Sequence, residues 1–66
     1  MSQVEVNGQA RDVDPTTTLG DLIRSLARDV SGCAVAVNGA VVPRGDWERA
    51  LETGDRIEVL TAVQGG

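Results

Sequence analysis

The sequence predicts an α+β domain in which one mixed sheet of four to five strands lays one face on a single helix. Three observations carry that prediction: alternating segments near both ends of the chain, two Asn-Gly pairs that each separate strand-like runs, and one apolar stripe of helical period between those pairs. Sixty-six residues make one domain. A chain this short buries only about 60% of the surface its unfolded form exposes, so its core is small. It has no room for a cofactor cavity or a deep substrate cleft.

Gln3-Val4-Glu5-Val6 alternates polar and apolar residues, as a half-buried strand does. Asn7-Gly8 follows, and both residues tolerate the positive φ of a type I′ hairpin turn. The return strand runs from about Gln9 to Val13 and breaks at Asp14-Pro15. Leu19, Leu22, Ile23, Leu26, Ala27 and Val30 then share one stripe of a helix with about 3.6 residues per turn. Thr18 is the candidate N-cap. Asp21 suits the positive end of the helix dipole and can pair with Arg24 at i, i+3. Ser31-Gly32 closes the helix.

Cys33-Ala34-Val35-Ala36-Val37 reads as a buried strand, and Asn38-Gly39 as a second hairpin turn. Ala40-Val41-Val42 returns from it and stops at Pro43, which cannot donate to a ladder. Residues 44–51 form an irregular crossover with room for a short helical turn, and Thr53-Gly54-Asp55 turns tightly. Residues 56–63 are the last and longest strand, expected in the middle of the sheet beside the first. Residues 1–63 are therefore the domain, and 64–66 a flexible tail.

Composition narrows the function. Ten acidic residues stand against six arginines, with no Lys and no His, for a net charge of −4. That balance argues against nucleic acid or an anionic membrane and suits a basic protein surface. Lacking His and Lys, and with one Cys, the chain has few groups for general-base, Schiff-base or nucleophilic work, so neither enzymatic activity nor a bound cofactor or metal is expected. A lone Cys33 makes no internal disulfide, and residues 1–8 do not resemble a signal peptide. No apolar run is long enough to span a bilayer, and the expected setting is the cytoplasm.

The final residues, Gln64-Gly65-Gly66, follow directly on a strand and so form a slim arm on a rigid base. Fully extended, they reach roughly 10 Å. Without Cβ atoms, Gly65 and Gly66 can thread a narrow channel. A terminal carboxylate is ionised at neutral pH and is a poor electrophile, so acyl chemistry at Gly66 requires activation, for example as an acyl-adenylate. The bland alternative is a frayed end.

The Asn38-Gly39 turn followed by Val42-Pro43-Arg44 and Trp47, then Gly54-Asp55-Arg56-Ile57-Glu58, and finally Ala62-Val63-Gln64-Gly65-Gly66, resembles the ThiS family of small sulfur carriers of thiamin thiazole biosynthesis. The terminal diglycine is common to ubiquitin-like carriers, while Val-Pro-Arg-x-x-Trp in so short a chain is more specific. The resemblance covers nearly the whole chain. It implies a ubiquitin-like β-grasp fold and adenylation of Gly66 by a ThiF-like adenylyltransferase that uses ATP. It also implies conversion to a thiocarboxylate with sulfur from a donor such as a cysteine desulfurase, and delivery to a ThiG-like thiazole synthase. A MoaD-like carrier for molybdopterin synthesis and a ubiquitin-like protein modifier are the alternatives, and a purely structural module is a third.

Other residues have simpler readings beside functional ones. Trp47 reads as a plug for the small core, with a docking anchor as the alternative. Cys33 reads as a small core residue rather than a sulfur acceptor. If Ile57, Val59 and Thr61 face the helix, then Arg56, Glu58, Leu60 and Ala62 face outward, with Ala34 and Ala36 sharing that face. Glu58, Leu60 and Ala62 are the candidate docking residues at the base of the tail. Glu52, Asp55 and Glu58 are either acidic partner contacts or ordinary solvated charge.

Overall fold

The computed structural model describes residues 1–26 and 32–61. The chain runs β1 (Ser2–Val6), β2 (Gln9–Val13), α1 (Leu19–Leu26), β3 (Cys33–Val37), β4 (Ala40–Val41), a 3₁₀ turn (Arg44–Asp46) and β5 (Arg56–Thr61). The strands form one sheet in the order β2-β1-β5-β3-β4. β5 lies parallel to β1 and antiparallel to β3, so the last strand occupies the middle beside the first, as expected. With α1 on one face, this is the β-grasp arrangement. Ala27, Val30 and Ser31, expected in or at the end of the helix, and Ala62 and Val63, expected in the last strand, lie outside the described residues.

Both hairpins follow from their turn residues. Asn7 and Gly8 have φ of 50° and 86°, and Asn38 and Gly39 have 54° and 88°. These left-handed values suit the right-handed twist of the flanking strands. They set the closing pairs Val6↔Gln9 and Val37↔Ala40. β4 is shorter than expected, but the Val42 N–H still donates to the Val35 carbonyl at 2.9 Å before Pro43 ends the pairing.

The helix starts on a reciprocal cap. The Asp21 N–H donates to Thr18 Oγ1 at 3.0 Å, and the Thr18 N–H donates to Asp21 Oδ2 at 3.2 Å, a capping box with Asp in the usual Glu position. The Thr18 N–H, then the Arg24 guanidinium 3.0 Å away, holds the Asp21 carboxyl below its ordinary value. The stabilisation is therefore complete above the ordinary aspartate pKa of about 3.9 and fades as the pH falls below it. Asp21→Asn is expected to flatten the acid limb of a stability-versus-pH curve followed by urea unfolding. An unchanged limb would mean that the cap is broken in solution.

Two further amides of the first helical turn are satisfied by the crossover. Leu19 N–H donates to the Arg49 carbonyl at 3.0 Å and Gly20 N–H to the Trp47 carbonyl at 2.7 Å. A Cβ on Gly20 would sit 3.3 Å from that Trp47 oxygen, close enough that the crossover would have to give by a few tenths of an ångström.

The core joins Val4, Val6, Val35, Val37 and Ile57 of the sheet to Leu19, Leu22 and Ile23 of the helix, closed by Trp47 and Leu51 of the crossover. Leu26, the last described residue of the helix, is 37% exposed. Trp47 is 5% exposed, and its Nε1–H donates to the Val42 carbonyl at 3.1 Å. The Arg44 guanidinium lies over its ring at 5.5 Å. The plug reading holds, and so buried a ring offers a partner little surface.

Asp55 corrects the sequence reading. It is 6% exposed and turned inward, accepting from the Glu52 N–H at 3.0 Å and from Asn38 Nδ2 at 3.1 Å, with Arg49 Nη2 at 3.7 Å. Its charge closes the turn before β5 and ties that turn to the second hairpin, because a buried carboxylate must be matched by donors. No helix among the described residues is long and apolar enough to cross a membrane.

Candidate functional site at the base of the tail

The pleat of β5 divides its residues between two environments. Ile57 is buried and Val59 half-buried against the core, while Arg56, Glu58 and Leu60 are exposed on the opposite face. That division matches the expected parity as far as Leu60. Leu60 is 70% exposed and lies opposite Ala34, and Glu58 lies opposite Ala36.

Ala36 in turn faces Val41 of β4, which is 76% exposed. The result is a shallow apolar saddle, with Leu60 and Val41 as its raised sides and the two alanines between them. Glu5, Glu58, Arg56, Asn7 and Gly8 line it as well. The sequence reading missed Val41. The signal was present, since a two-residue turn pairing Val37 with Ala40 forces Val41 onto the face of Ala36.

The position of β5 is fixed by both turn asparagines as well as by its ladders. Asn38 Oδ1 accepts from the Arg56 N–H at 2.9 Å, at the start of the strand. Asn7 Oδ1 accepts from the Val59 N–H at 2.9 Å, and Asn7 Nδ2 reaches the Val59 carbonyl at a long 3.4 Å. The Asn7 N–H also donates to the Ile57 carbonyl at 2.9 Å. The strand therefore carries its last described residue, Thr61, away from a well-anchored base, paired with Cys33 on the β3 side.

Of the expected site residues, Glu58 and Leu60 share the saddle, while Ala62, Gln64, Gly65 and Gly66 lie outside the described residues. Cys33 is half-buried and packs against the core. Among the described residues, no group of three or more His, Cys, Asp or Glu side chains is placed to hold a metal ion.

Comparison with known proteins extends this geometry. A sequence model of the ThiS family matches residues 4–66. The chain is 31% identical over 65 residues to the sulfur carrier protein ThiS of Escherichia coli strain K12, an overlap of 97% of this chain and 98% of that protein. Its fold is similar to the crystal structure of the thiamine biosynthesis protein ThiS from Geobacter metallireducens, with a TM-score of 0.78 and 26% identity. That alignment covers 97% of this chain and 99% of the other.

Proposed function

The chain belongs to the ThiS family, and from that premise we propose that it is a sulfur carrier whose Gly66 is loaded as a thiocarboxylate for thiamin thiazole synthesis. It is a carried co-substrate and not an enzyme. The observation that carries the reading is the family match running through residue 66, so that the Gly65-Gly66 pair falls within the shared sequence. The central place of β5 supports it, because the strand that leads to the pair is held on both sides.

The chemistry follows from the weakness of a carboxylate as an electrophile. A Gly66 carboxylate oxygen attacks the α-phosphorus of ATP in a ThiF-like adenylyltransferase, and pyrophosphate leaves. The terminal sulfur of a persulfide on a donor such as a cysteine desulfurase then adds to the acyl carbon, and AMP departs with the bonding pair. A second thiol attacks the donor-side sulfur of the resulting acyl disulfide, forming a disulfide with the donor cysteine as the thiocarboxylate leaves with the electron pair. The thiocarboxylate passes to a ThiG-like thiazole synthase. Gln64, Gly65 and Gly66 thread the partner sites, where the missing Cβ atoms keep the arm thin.

Intact-mass measurement after incubation with the adenylyltransferase, ATP and a sulfur donor tests the reading. The expected product has one oxygen replaced by sulfur at Gly66. Failure to form it overturns the carrier reading, and covalent adducts with other proteins identify a modifier instead. Preferential transfer from the loaded protein to a molybdopterin synthase in place of a thiazole synthase identifies a MoaD-like carrier.

The saddle of Leu60, Val41 and the two alanines, lined also by Glu58, is the docking surface in this reading. Leu60 is exposed, so Leu60→Ala is expected to change stability by no more than about 0.5 kcal/mol. If Leu60 is a hot spot, the KM for the carrier rises by about tenfold or more. A steady-state loading assay with unchanged KM removes Leu60 from the interface.

A further inference from the structure

Asn7 does more than make its turn. The parallel pairing of β1 with β5 ends at Val6↔Ile57, because the chain turns away at Asn7-Gly8. Beyond that point the Asn7 N–H still donates to the Ile57 carbonyl at 2.9 Å, and it is the last described backbone group on this side to reach β5. The Asn7 carboxamide takes over, presenting an acceptor to the Val59 N–H and a donor towards the Val59 carbonyl, as the next residue of a parallel strand would. It is the last described tie on this side of β5 before the arm. On the other side β3 continues two residues further, through Ala34↔Leu60 and Cys33↔Thr61.

We propose that Asn7 is a positioning residue for loading: by bridging Val59 it sets where β5 is released on its β1 side, and hence the direction in which the strand points the residues that end in Gly66. The inference rests on the sulfur-carrier reading. Residues 62–66 can span at most about 18 Å, so a small change of angle at Val59 is magnified at the acyl carbon. A strand end held by β3 alone from Val59 to Thr61 also has more backbone freedom to lose when a partner fixes its direction. The effect therefore falls on the chemical step. Asn7 also lines the saddle, but its carboxamide is committed to Val59, and the apolar docking residues Leu60 and Val41 keep their places when it is removed.

Asn7→Gly isolates the carboxamide, since glycine keeps the left-handed φ of 50° without strain. Asn7→Asp retains the acceptor for the 2.9 Å Val59 N–H bond and serves as the conservative rescue. Amide exchange by NMR and steady-state loading are measured on all three proteins.

Asn7→Gly is expected to exchange the Val59 amide about tenfold faster while Val35, in the same sheet, stays as in wild type. Its kcat for loading falls about three- to tenfold with KM unchanged, and Asn7→Asp restores most of both. Unchanged Val59 exchange, unchanged kcat, or a change confined to KM overturns the proposal, the last marking Asn7 as a contact residue. Failure of wild-type protein to load at all sinks the carrier reading and this inference with it. Normal loading of wild type and Asn7→Gly alike sinks this inference alone.

Discussion

Deleting Gly66 is expected to leave the domain folded and to stop loading altogether. The described core closes among residues from Val4 to Ile57, with Val59 packed against it, so it is assembled before the chain reaches the arm. The melting temperature is accordingly expected to stay within about 3 °C of wild type, the shift of roughly half a kcal/mol in a domain of this size.

Loading responds very differently. The truncated chain still ends in a glycine carboxylate, but its acyl carbon falls short by the length of one residue, about 3.3–3.6 Å. A misplacement of about 1 Å can cost on the order of a hundredfold when reacting groups must meet in one geometry. A deficit of several ångströms therefore takes the rate to background, a loss of about a thousandfold or more. Intact mass of the product and calorimetric melting check both halves. Loading at the wild-type rate would show that the partner reads the diglycine loosely, and a large fall in melting temperature would make the tail a structural element.

What the sequence revealed, and what it hid, divides by the range of the interactions concerned. The two Asn-Gly turns, the Thr18 cap and the Asp21–Arg24 pair are local and were legible, because each depends on residues within a few positions of one another. The outward parity of Glu58 and Leu60 was legible for the same reason. Asp55 was not. An exposed-looking acid in a tight turn became buried only because Asn38, 17 positions away, and Arg49 were brought to it by the fold.

The Asn7–Val59 bond, spanning 52 positions, is further beyond the reach of pattern reading. Asn-Gly announces a turn and says nothing about which strand the carboxamide will meet. Site residues that act through β5 are hidden for this reason, while those on its own exposed face follow from the pleat.

Trp47→Ala is expected to come close to unfolding the protein. A domain of this length is held by about 3–10 kcal/mol in total, whereas removing a buried Trp costs about 3–5 kcal/mol. No other aromatic exists to fill the space, and the Val42 carbonyl loses its indole donor as well. The damage spreads along the crossover, because the Trp47 and Arg49 carbonyls satisfy Gly20 and Leu19 at the start of the helix. A loosened crossover therefore exposes two helix amides and weakens the turn that leads into β5.

Unfolding must be followed by far-UV circular dichroism, since the substitution removes the single Trp that reports by fluorescence. A loss below about 1 kcal/mol would overturn the plug. Trp47→Phe separates scaffold from docking anchor. It keeps most of the volume, gives up the bond to Val42 and is expected to lose about 1–2 kcal/mol while remaining folded. The ring lies within the core, on the other side of the sheet from Leu60 and Val41, so the folded Phe variant is expected to load at the wild-type rate. A selective rise in its KM would place Trp47 at the partner surface after all.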